Sequence, residues 1–313
     1  MQVGNLIAFM SYAMQILMSF MMLSMVFVFI PRAQASAKRI QTVFALKSTM
    51  KPAEHPVALD PNVKQHTLSF DHVDYRYRQA EMPALSDIDF KASSGQTVAI
   101  IGGTGSGKTT LVSLIPRFYD VDKGEIELDG HNINDFSMKD LRNQVSFVPQ
   151  KATLFTGSIR DNMKYGNPNA TDDEIWHALE IARAKDFVEE DPAGLDLQVE
   201  QGGDNFSGGQ KQRLAIARAL VKKSAVYVFD DSFSALDFKT DADLRAALRA
   251  DEHIQQSITV IVAQRIATVA DADLILVLDN GKLVGKGTHD ELRANNKVYQ
   301  EIIHSQLREE DDK

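Results

Sequence analysis

The residues best suited to chemistry lie in one glycine-rich loop, residues 102–109. The loop reads Gly-Gly-Thr-Gly-Ser-Gly-Lys-Thr and fits the phosphate-binding pattern G-x-x-x-x-G-K-[ST]. Glycines let backbone N–H groups curl around phosphate oxygens, because no Cβ stands in the way. Lys108 adds a positive charge, and Thr109 offers a hydroxyl to Mg²⁺. The candidate phosphate-binding residues are Gly102, Gly103, Thr104, Gly105, Ser106, Gly107, Lys108, Thr109 and Thr110.

The elements that flank this phosphate loop favour the same interpretation over a glycine-rich turn with a chance lysine. Residues 97–101 form an uncharged, β-rich run that predicts a buried strand. Residues 108–115 predict a helix that ends before Pro116. A helix start points its positive end at the phosphate oxygens. The order strand, loop, helix therefore predicts an anion site.

A second acidic position is expected to complete this site. Residues 225–229 are another buried-strand run, followed by Asp230 and Asp231. An acid at the carboxyl end of such a strand is where a P-loop protein holds Mg²⁺. The sequence assigns that role to Asp230. The alternative is that the two acids open an ordinary turn.

A second glycine-containing helix start lies upstream of Asp230. Ser207 and Gln210 have the spacing of a capping box, which predicts a helix from Ser207 to about Val221. Together with Gly208 and Gly209, this helix start forms a candidate anion seat. The alternative is a capped helix without a ligand. Two phosphate-seeking helix starts in one chain suggest that two chains share each nucleotide.

Composition excludes some classes of function. The 313 residues include 34 Lys and Arg against 43 Asp and Glu, which gives a net charge of −9. An acidic chain is a poor candidate for non-specific nucleic-acid binding, which needs a basic surface. The sequence has no cysteine, so it has no disulfide framework and no thiolate metal site.

The N-terminus departs from this ordinary composition. Residues 1–30 carry no charge, and residues 6–30 are long enough for a tilted membrane-spanning helix. The first charges are Arg32, Lys38 and Arg39, which indicates that the carboxyl end of this span faces the cytoplasm. A signal peptide would carry basic residues before its apolar core. A buried soluble helix is rarely apolar over this length, and a cleaved anchor would need a small-residue cleavage pattern.

The rest of the chain predicts a mixed α/β domain. We expect residues 1–50 to form the membrane helix and its cytoplasmic extension, and the proline-containing residues 51–66 to form a linker. Residues 67–306 form the predicted nucleotide domain, and residues 307–313 a charged tail. Further predicted strands are residues 67–70, 73–77, 124–130 and 145–148, and residues 171–190 are predicted helical.

Residues 67–306 resemble the nucleotide-binding domain of an ATP-binding cassette (ABC) transporter of the exporter type. The phosphate loop, Gln150, residues 206–210, Asp230 and residues 234–237 occur in that family's order and spacing. The resemblance implies a P-loop ATPase core with an antiparallel β subdomain and a helical subdomain, preceded by one transmembrane helix. It implies ATP and Mg²⁺ as cofactors, with Thr109, Gln150 and Asp230 around the metal. Tyr77 occupies the position that stacks on adenine; the alternative is a core strand tyrosine.

Two positions depart from the family pattern, and both belong to hydrolysis. Asp231 replaces the glutamate that polarises water, and Gln264 replaces a histidine near the γ-phosphate. Displacing a carboxylate by about 1 Å can cost about 100-fold in rate. Glutamine cannot carry a charge or a proton as histidine can. With Gln150, these residues form a catalytic set that we expect to bind nucleotide and to hydrolyse it poorly.

The resemblance also implies partners and a location. This chain is similar to the impaired half of a heterodimeric exporter, whose second half-transporter keeps the glutamate and histidine. Ser207, Gly208, Gly209 and Gln210 would then face ATP held by that partner. The expected location is the cell membrane, in contact with lipid, with the nucleotide domain in the cytoplasm. The N-terminal helix resembles the last transmembrane helix of an exporter half, so the chain resembles a C-terminal fragment, and the transported substrate cannot be read from it.

Three other functions remain open at this point. One is a homodimeric exporter with slow, symmetric hydrolysis through Asp231. Another is a soluble regulatory or translation-type ABC ATPase, against which the uncharged residues 1–30 argue. The third is a truncated product without function.

Overall fold

The chain consists of two units, residues 1–51 and 52–313, which are considered separately. The computed structural model describes residues 3–46, 48, 50–58, 60 and 63–311, with side chains up to residue 306. The N-terminal unit is a single described helix, α1 (Val3–Phe44), which continues through Pro31. Its side chains are exposed, and its length of about 60 Å exceeds the thickness of a bilayer. Among the described helices, it is the one long and apolar enough to cross a membrane.

The second unit is built on one large mixed sheet. In the described residues the strands are β1 (Thr67–Tyr75), β2 (Leu85–Ser93), β3 (Thr97–Gly102), β4 (Lys123–Leu128), β5 (His131–Asn132), β6 (Val145–Val148), β7 (Gly157–Ser158), β8 (Gln198–Val199), β9 (Val226–Asp230), β10 (Ile258–Val262), β11 (Leu274–Asp279) and β12 (Lys282–Gly287). Ten of them form a sheet in the order β5-β4-β1-β2-β12-β11-β3-β10-β9-β6, and β7 pairs separately with β8.

The sheet has an antiparallel side and a parallel side. Strands β5, β4, β1 and β2 pair antiparallel, whereas β11, β3, β10, β9 and β6 run parallel to one another. Between the two sides, β12 pairs parallel with β2 and antiparallel with β11. Parallel strands are covered on both faces, so they carry continuous apolar runs. All five residues of β9 and all five of β10 are buried. Successive side chains of β3 lie on opposite faces of the sheet and belong to two core clusters. Val98 and Ile100 belong to one cluster, and Ala99 and Ile101 belong to the other.

Helices cover this sheet, and four of them lie between β6 and β9 in the sequence. The remaining described α-helices are α2 (Lys108–Leu114), α3 (Met138–Gln144), α4 (Ile159–Lys164), α5 (Asp172–Ile181), α6 (Lys185–Glu189), α7 (Gly208–Val221), α8 (Phe238–Ala250), α9 (Ile266–Val269), α10 (His289–Asn295) and α11 (Lys297–Asp311). Short 3₁₀ turns cover Ile133–Asp135, Gly194–Asp196, Gln201–Gly203 and Ile254–Gln256. The α/β P-loop architecture predicted from the sequence is confirmed.

Two secondary-structure predictions differ from the structure. The predicted strands at residues 67–70 and 73–77 form a single strand, which ends at Tyr75. Its pairing register with β2 shifts near His72, and the pairing continues beyond that shift. The predicted helix at residues 171–190 is broken near Arg183, whose φ of 55° is left-handed. Val57, in the predicted linker, forms a bridge with Phe136. The charged tail continues α11 to Asp311, and its last two residues lie outside the described residues.

Candidate functional site

Four adjacent parallel strands bring the predicted site residues to one edge of the sheet. Strand β3 ends in the phosphate loop, and β10, β9 and β6 lie next to it in that order. Gln264 follows β10, Asp230 ends β9, and Gln150 follows β6. Because the carboxyl ends of parallel strands meet at one edge, residues far apart in sequence become neighbours. Ligands of open α/β sheets bind at this kind of edge.

The phosphate loop needs glycine for two different reasons. Gly105 and Gly107 have φ values of 80° and 102°, in the left-handed region that glycine adopts without strain. A Cβ on Gly102 would lie 2.2 Å from the carbonyl oxygen of Leu278. A Cβ on Gly103 would meet no atom within 4 Å, so this side of the loop is open.

Lys108 lies folded over its own loop. Its Nζ donates hydrogen bonds to the carbonyl oxygens of Gly102 and Gly103, both at 2.8 Å. Burial lowers the pKa of Lys108, and the charges of Asp231 and Asp230 partly offset that effect. Carbonyl dipoles are weaker partners for an ammonium than phosphate oxygens. A phosphate group at the loop would therefore be a stronger partner for this side chain.

The predicted magnesium ligands Thr109 and Asp230 lie in direct contact. The Thr109 hydroxyl donates to Asp230 Oδ1 at 3.0 Å, although the two residues are 121 positions apart. Asp230 is 3% exposed. Burial raises its pKa, and the neighbouring charge of Asp231 acts in the same direction. A cation at this position would compensate the buried charge.

Asp231 is held by two amide side chains. Its Oδ2 accepts a hydrogen bond from Gln150 Nε2 at 2.9 Å and another from Gln264 Nε2 at 2.6 Å. The backbone of Asp231 has a φ of 48°, a left-handed conformation that aspartate tolerates better than most residues. The structure thus brings the three predicted catalytic residues together. Gln150, which the family resemblance places near the metal as well, contacts Asp231 here.

Tyr77 lies beside the phosphate loop. It follows β1 and is 39% exposed, which excludes the alternative of a core strand tyrosine. Its hydroxyl forms a 3.0 Å hydrogen bond with Oγ1 of Thr110, near the start of α2. Its ring meets those of Tyr75 and Tyr119 edge to face, at centroid distances of 5.0 and 5.5 Å. An exposed ring at this place is available to stack on a base.

The second predicted anion seat lies elsewhere. Ser207 caps α7: its hydroxyl accepts from the N–H of Gln210, whose side chain in turn accepts from the N–H of Ser207. Ser207 and Gly208 are exposed, and a Cβ on Gly208 would meet no atom within 4 Å. Among the described residues, no hydrogen bond links this helix start to the phosphate loop. The capped helix was predicted correctly, and its open glycine leaves room for a group from another molecule.

The site residues fit a magnesium-bound nucleoside triphosphate. The hydroxyl of Ser106 is buried in the loop without a hydrogen-bond partner among the described residues. No group of three or more Asp, Glu, His or Cys side chains in the described chain could hold a metal alone. Mg²⁺ is usually bound by one or two protein carboxylates together with substrate phosphates. Thr109 and Asp230 would supply the protein's share of such a site.

Two residues in this region were not predicted from the sequence. The guanidinium of Arg265 lies 4.7 Å from the ring centroid of Phe238 and donates to the carbonyl oxygens of Ser234 and Leu236, both at 3.4 Å. Gln306 of α11 contacts the backbone on both sides of Arg265. Together with the phosphate loop and Asp231, these segments line a cleft of about 940 Å³. No local pattern identifies Gln306, because its partners lie about 40 positions earlier.

Known proteins resemble this chain over nearly its full length. Residues 85–234 match the model of the ABC transporter family. An uncharacterized ABC transporter ATP-binding protein of Mycobacterium tuberculosis is 44% identical over 309 residues, which cover 98% of this chain and 52% of the relative. A putative multidrug export ATP-binding/permease protein of Staphylococcus aureus is 42% identical over 240 residues, 77% of this chain and 41% of the relative.

A solved structure gives the same result. A bacterial Atm1-family ABC exporter with ATP bound superposes with a TM-score of 0.82 at 33% sequence identity. The match covers 97% of this chain and 53% of the exporter chain. This chain therefore spans about half the length of the relatives it matches. Fold, motif order and sequence identity agree, and the chain carries an ABC transporter nucleotide-binding domain.

Proposed function

We propose that this chain is the ATP-binding part of an ABC exporter whose own nucleotide site binds Mg-ATP but hydrolyses it poorly. As a family, ABC ATPases bind ATP with Mg²⁺ and couple its hydrolysis to transport. The chain's similarity to export proteins supports the exporter class. Binding of ATP would close two nucleotide-binding domains head to tail, and α1 would anchor the domain at the cytoplasmic face of the cell membrane. The transported substrate is not identified.

The observation that carries this proposal is the contrast between binding and hydrolysis residues. Lys108, Thr109 and Asp230 keep the groups that bind phosphate and magnesium: Lys108 lies over the phosphate loop, and Thr109 contacts Asp230 directly. Asp231 has a shorter side chain than glutamate, and two amides occupy its Oδ2. Neither amide accepts a proton from water as a histidine could. Poor positioning of the base by about 1 Å costs about 100-fold in rate.

The partner we propose is a second half-transporter that carries the glutamate and histidine. The open start of α7 at Ser207 and Gly208 suits the γ-phosphate of ATP on that partner's phosphate loop. Backbone N–H groups and the helix dipole favour a negative charge there. The two halves would thus form one impaired site and one competent site.

Nucleotide binding tests the first part of the proposal. We expect Lys108→Ala to weaken Mg-ATP binding by at least about tenfold, since a charge-assisted contact is worth about 1.5–3 kcal/mol. Lys91→Ala, at an exposed position of β2, is the matched control and should bind normally. Isothermal titration of the purified chain in detergent measures both. Equal affinity of the Lys108→Ala and wild-type chains would contradict ATP binding at this loop.

A further inference from the structure

We propose that Gln306, in the C-terminal helix α11, is a positioning residue for the nucleotide site. It holds the 264–266 loop so that the Gln264 side chain reaches Asp231. The contact itself stands on the geometry of the described residues, and its consequence for ATP rests on the proposed function. The proposal makes α11 part of the nucleotide site, although no residue of α11 belongs to a nucleotide-binding pattern in the sequence.

One amide makes both contacts. Gln306 Nε2 donates to the carbonyl oxygen of Gln264 at 2.6 Å, and Gln306 Oε1 accepts from the N–H of Ile266 at 2.8 Å. The donor and acceptor of this side chain are therefore both used on the backbone of one three-residue loop. Two bonds from a single planar group fix the orientation of the loop as well as its position.

The N–H of Ile266 needs an outside partner. Ile266 is the first residue of α9, and the preceding Arg265 makes no side-chain cap. The first N–H groups of a helix have no partner within the helix. Gln306 supplies this acceptor from outside the helix. The start of α9 thus depends on a side chain from α11.

The loop held in this way connects two parts of the site. The Gln264 side chain donates to Asp231, and the Arg265 guanidinium donates to the carbonyl oxygens of Ser234 and Leu236. A shift of the 264–266 backbone would move both side chains away from these partners. Gln306 therefore acts on the γ-phosphate side of the site through Gln264, without touching the nucleotide.

A role limited to fastening α11 to the domain is the alternative. Other contacts already hold α11 against the domain. Tyr299 is fully buried, and its hydroxyl forms a 2.8 Å hydrogen bond with His289 Nδ1. Ile302 and Ile303 also pack against the main core cluster. Removing one half-buried amide should leave α11 in place and release the loop.

The test compares Gln306→Met with Gln300→Met in the full chain in detergent micelles. Methionine keeps the length of the side chain and loses both hydrogen bonds. Gln300 is a matched control because it lies on α11 as well, and its amide also donates to a backbone carbonyl, that of Arg293 at 2.8 Å. We expect Gln306→Met to speed hydrogen exchange of the Ile266 amide about fivefold, the equivalent of one neutral hydrogen bond. Gln300→Met should leave that amide unchanged.

A double-mutant cycle shows whether Gln306 acts through Gln264. Gln306→Met should weaken Mg-ATP binding about fivefold in the wild-type background and have no further effect in a Gln264→Ala background. Unchanged exchange at Ile266 would overturn the proposal, as would unchanged affinity or additive effects in the cycle. The exchange measurement needs no nucleotide. If the wild-type chain fails to bind Mg-ATP, only the proposed function is contradicted, and exchange alone decides the role of Gln306.

Discussion

Gly208 provides the most direct test of the role proposed for the start of α7. Its Cβ position is open, and an aspartate in the first turn of a helix stabilises that helix by about 0.3–1 kcal/mol. Gly208→Asp should therefore fold normally in the isolated chain. For an order-of-magnitude estimate, we take about 4 Å as the distance between its carboxylate and a γ-phosphate in the proposed closed complex. At an effective dielectric constant near 20, each pair of unit charges then repels by about 4 kcal/mol, a factor of about 1000.

The assay is steady-state ATP hydrolysis by the complex of this chain with its second half. Gly208→Asp should lower the rate by about 1000-fold. Gly208→Asn has the same shape without the charge, so it separates bulk from repulsion and should cost less. Asp231→Asn should reduce the rate much less than Gly208→Asp, because in the proposed heterodimer hydrolysis takes place at the other site. If Asp231→Asn is the more damaging change, Asp231 is a working base and the assigned roles are reversed.

Two further predictions concern the chain's own site. Tyr77→Ala should weaken ATP binding by a factor that corresponds to about 0.5–1.5 kcal/mol of lost stacking energy. Tyr77→Phe keeps the ring and loses only the hydrogen bond to Thr110, so it should bind ATP normally. Titration with ATP measures both, and normal binding by the alanine variant would exclude adenine stacking on this ring. Asp230→Asn should raise the melting temperature of the nucleotide-free chain at pH 8, because burial raises the pKa of Asp230 and its ionised form costs stability above that pKa. The gain should shrink as the pH falls through the raised pKa of Asp230, because the wild-type carboxyl then becomes protonated. A lower melting temperature of the variant than of the wild type at pH 8 would contradict this sign.

The centre of the site was predictable because its signals are local. The phosphate loop combines a β-rich run, a glycine pattern and a helix start within 19 residues, 97–115. Asp230 follows a short apolar run whose β-branched and aromatic residues favour a buried strand, and the structure has that strand. The N-terminal cap of α7 could be predicted from Ser207 and Gln210 alone, and both hydrogen bonds of this capping box are present in the structure.

The parts that the sequence did not reveal depend on contacts between distant residues. Strand β1 continues past His72 because β2 and β4 pair with it, and neither partner is visible from residues 67–77. The hydrogen bonds from Gln150 and Gln264 to Asp231 join residues 81 and 33 positions apart. Gln306 reaches Gln264 across 42 positions from an ordinary surface helix. Such side-chain contacts are set by the packing of the sheet and leave no periodic signal in the sequence.

The central claim is that this site binds ATP but lacks the geometry to hydrolyse it, and restoring the family residues tests it most directly. The measurement is ATP turnover at this site in the closed complex, with the partner's own site inactivated, for the wild type and for Asp231→Glu combined with Gln264→His. We predict turnover near background for the wild type and an increase of about 100-fold for the double variant. Brisk wild-type turnover of tens per second, unchanged by the two substitutions, would contradict the account.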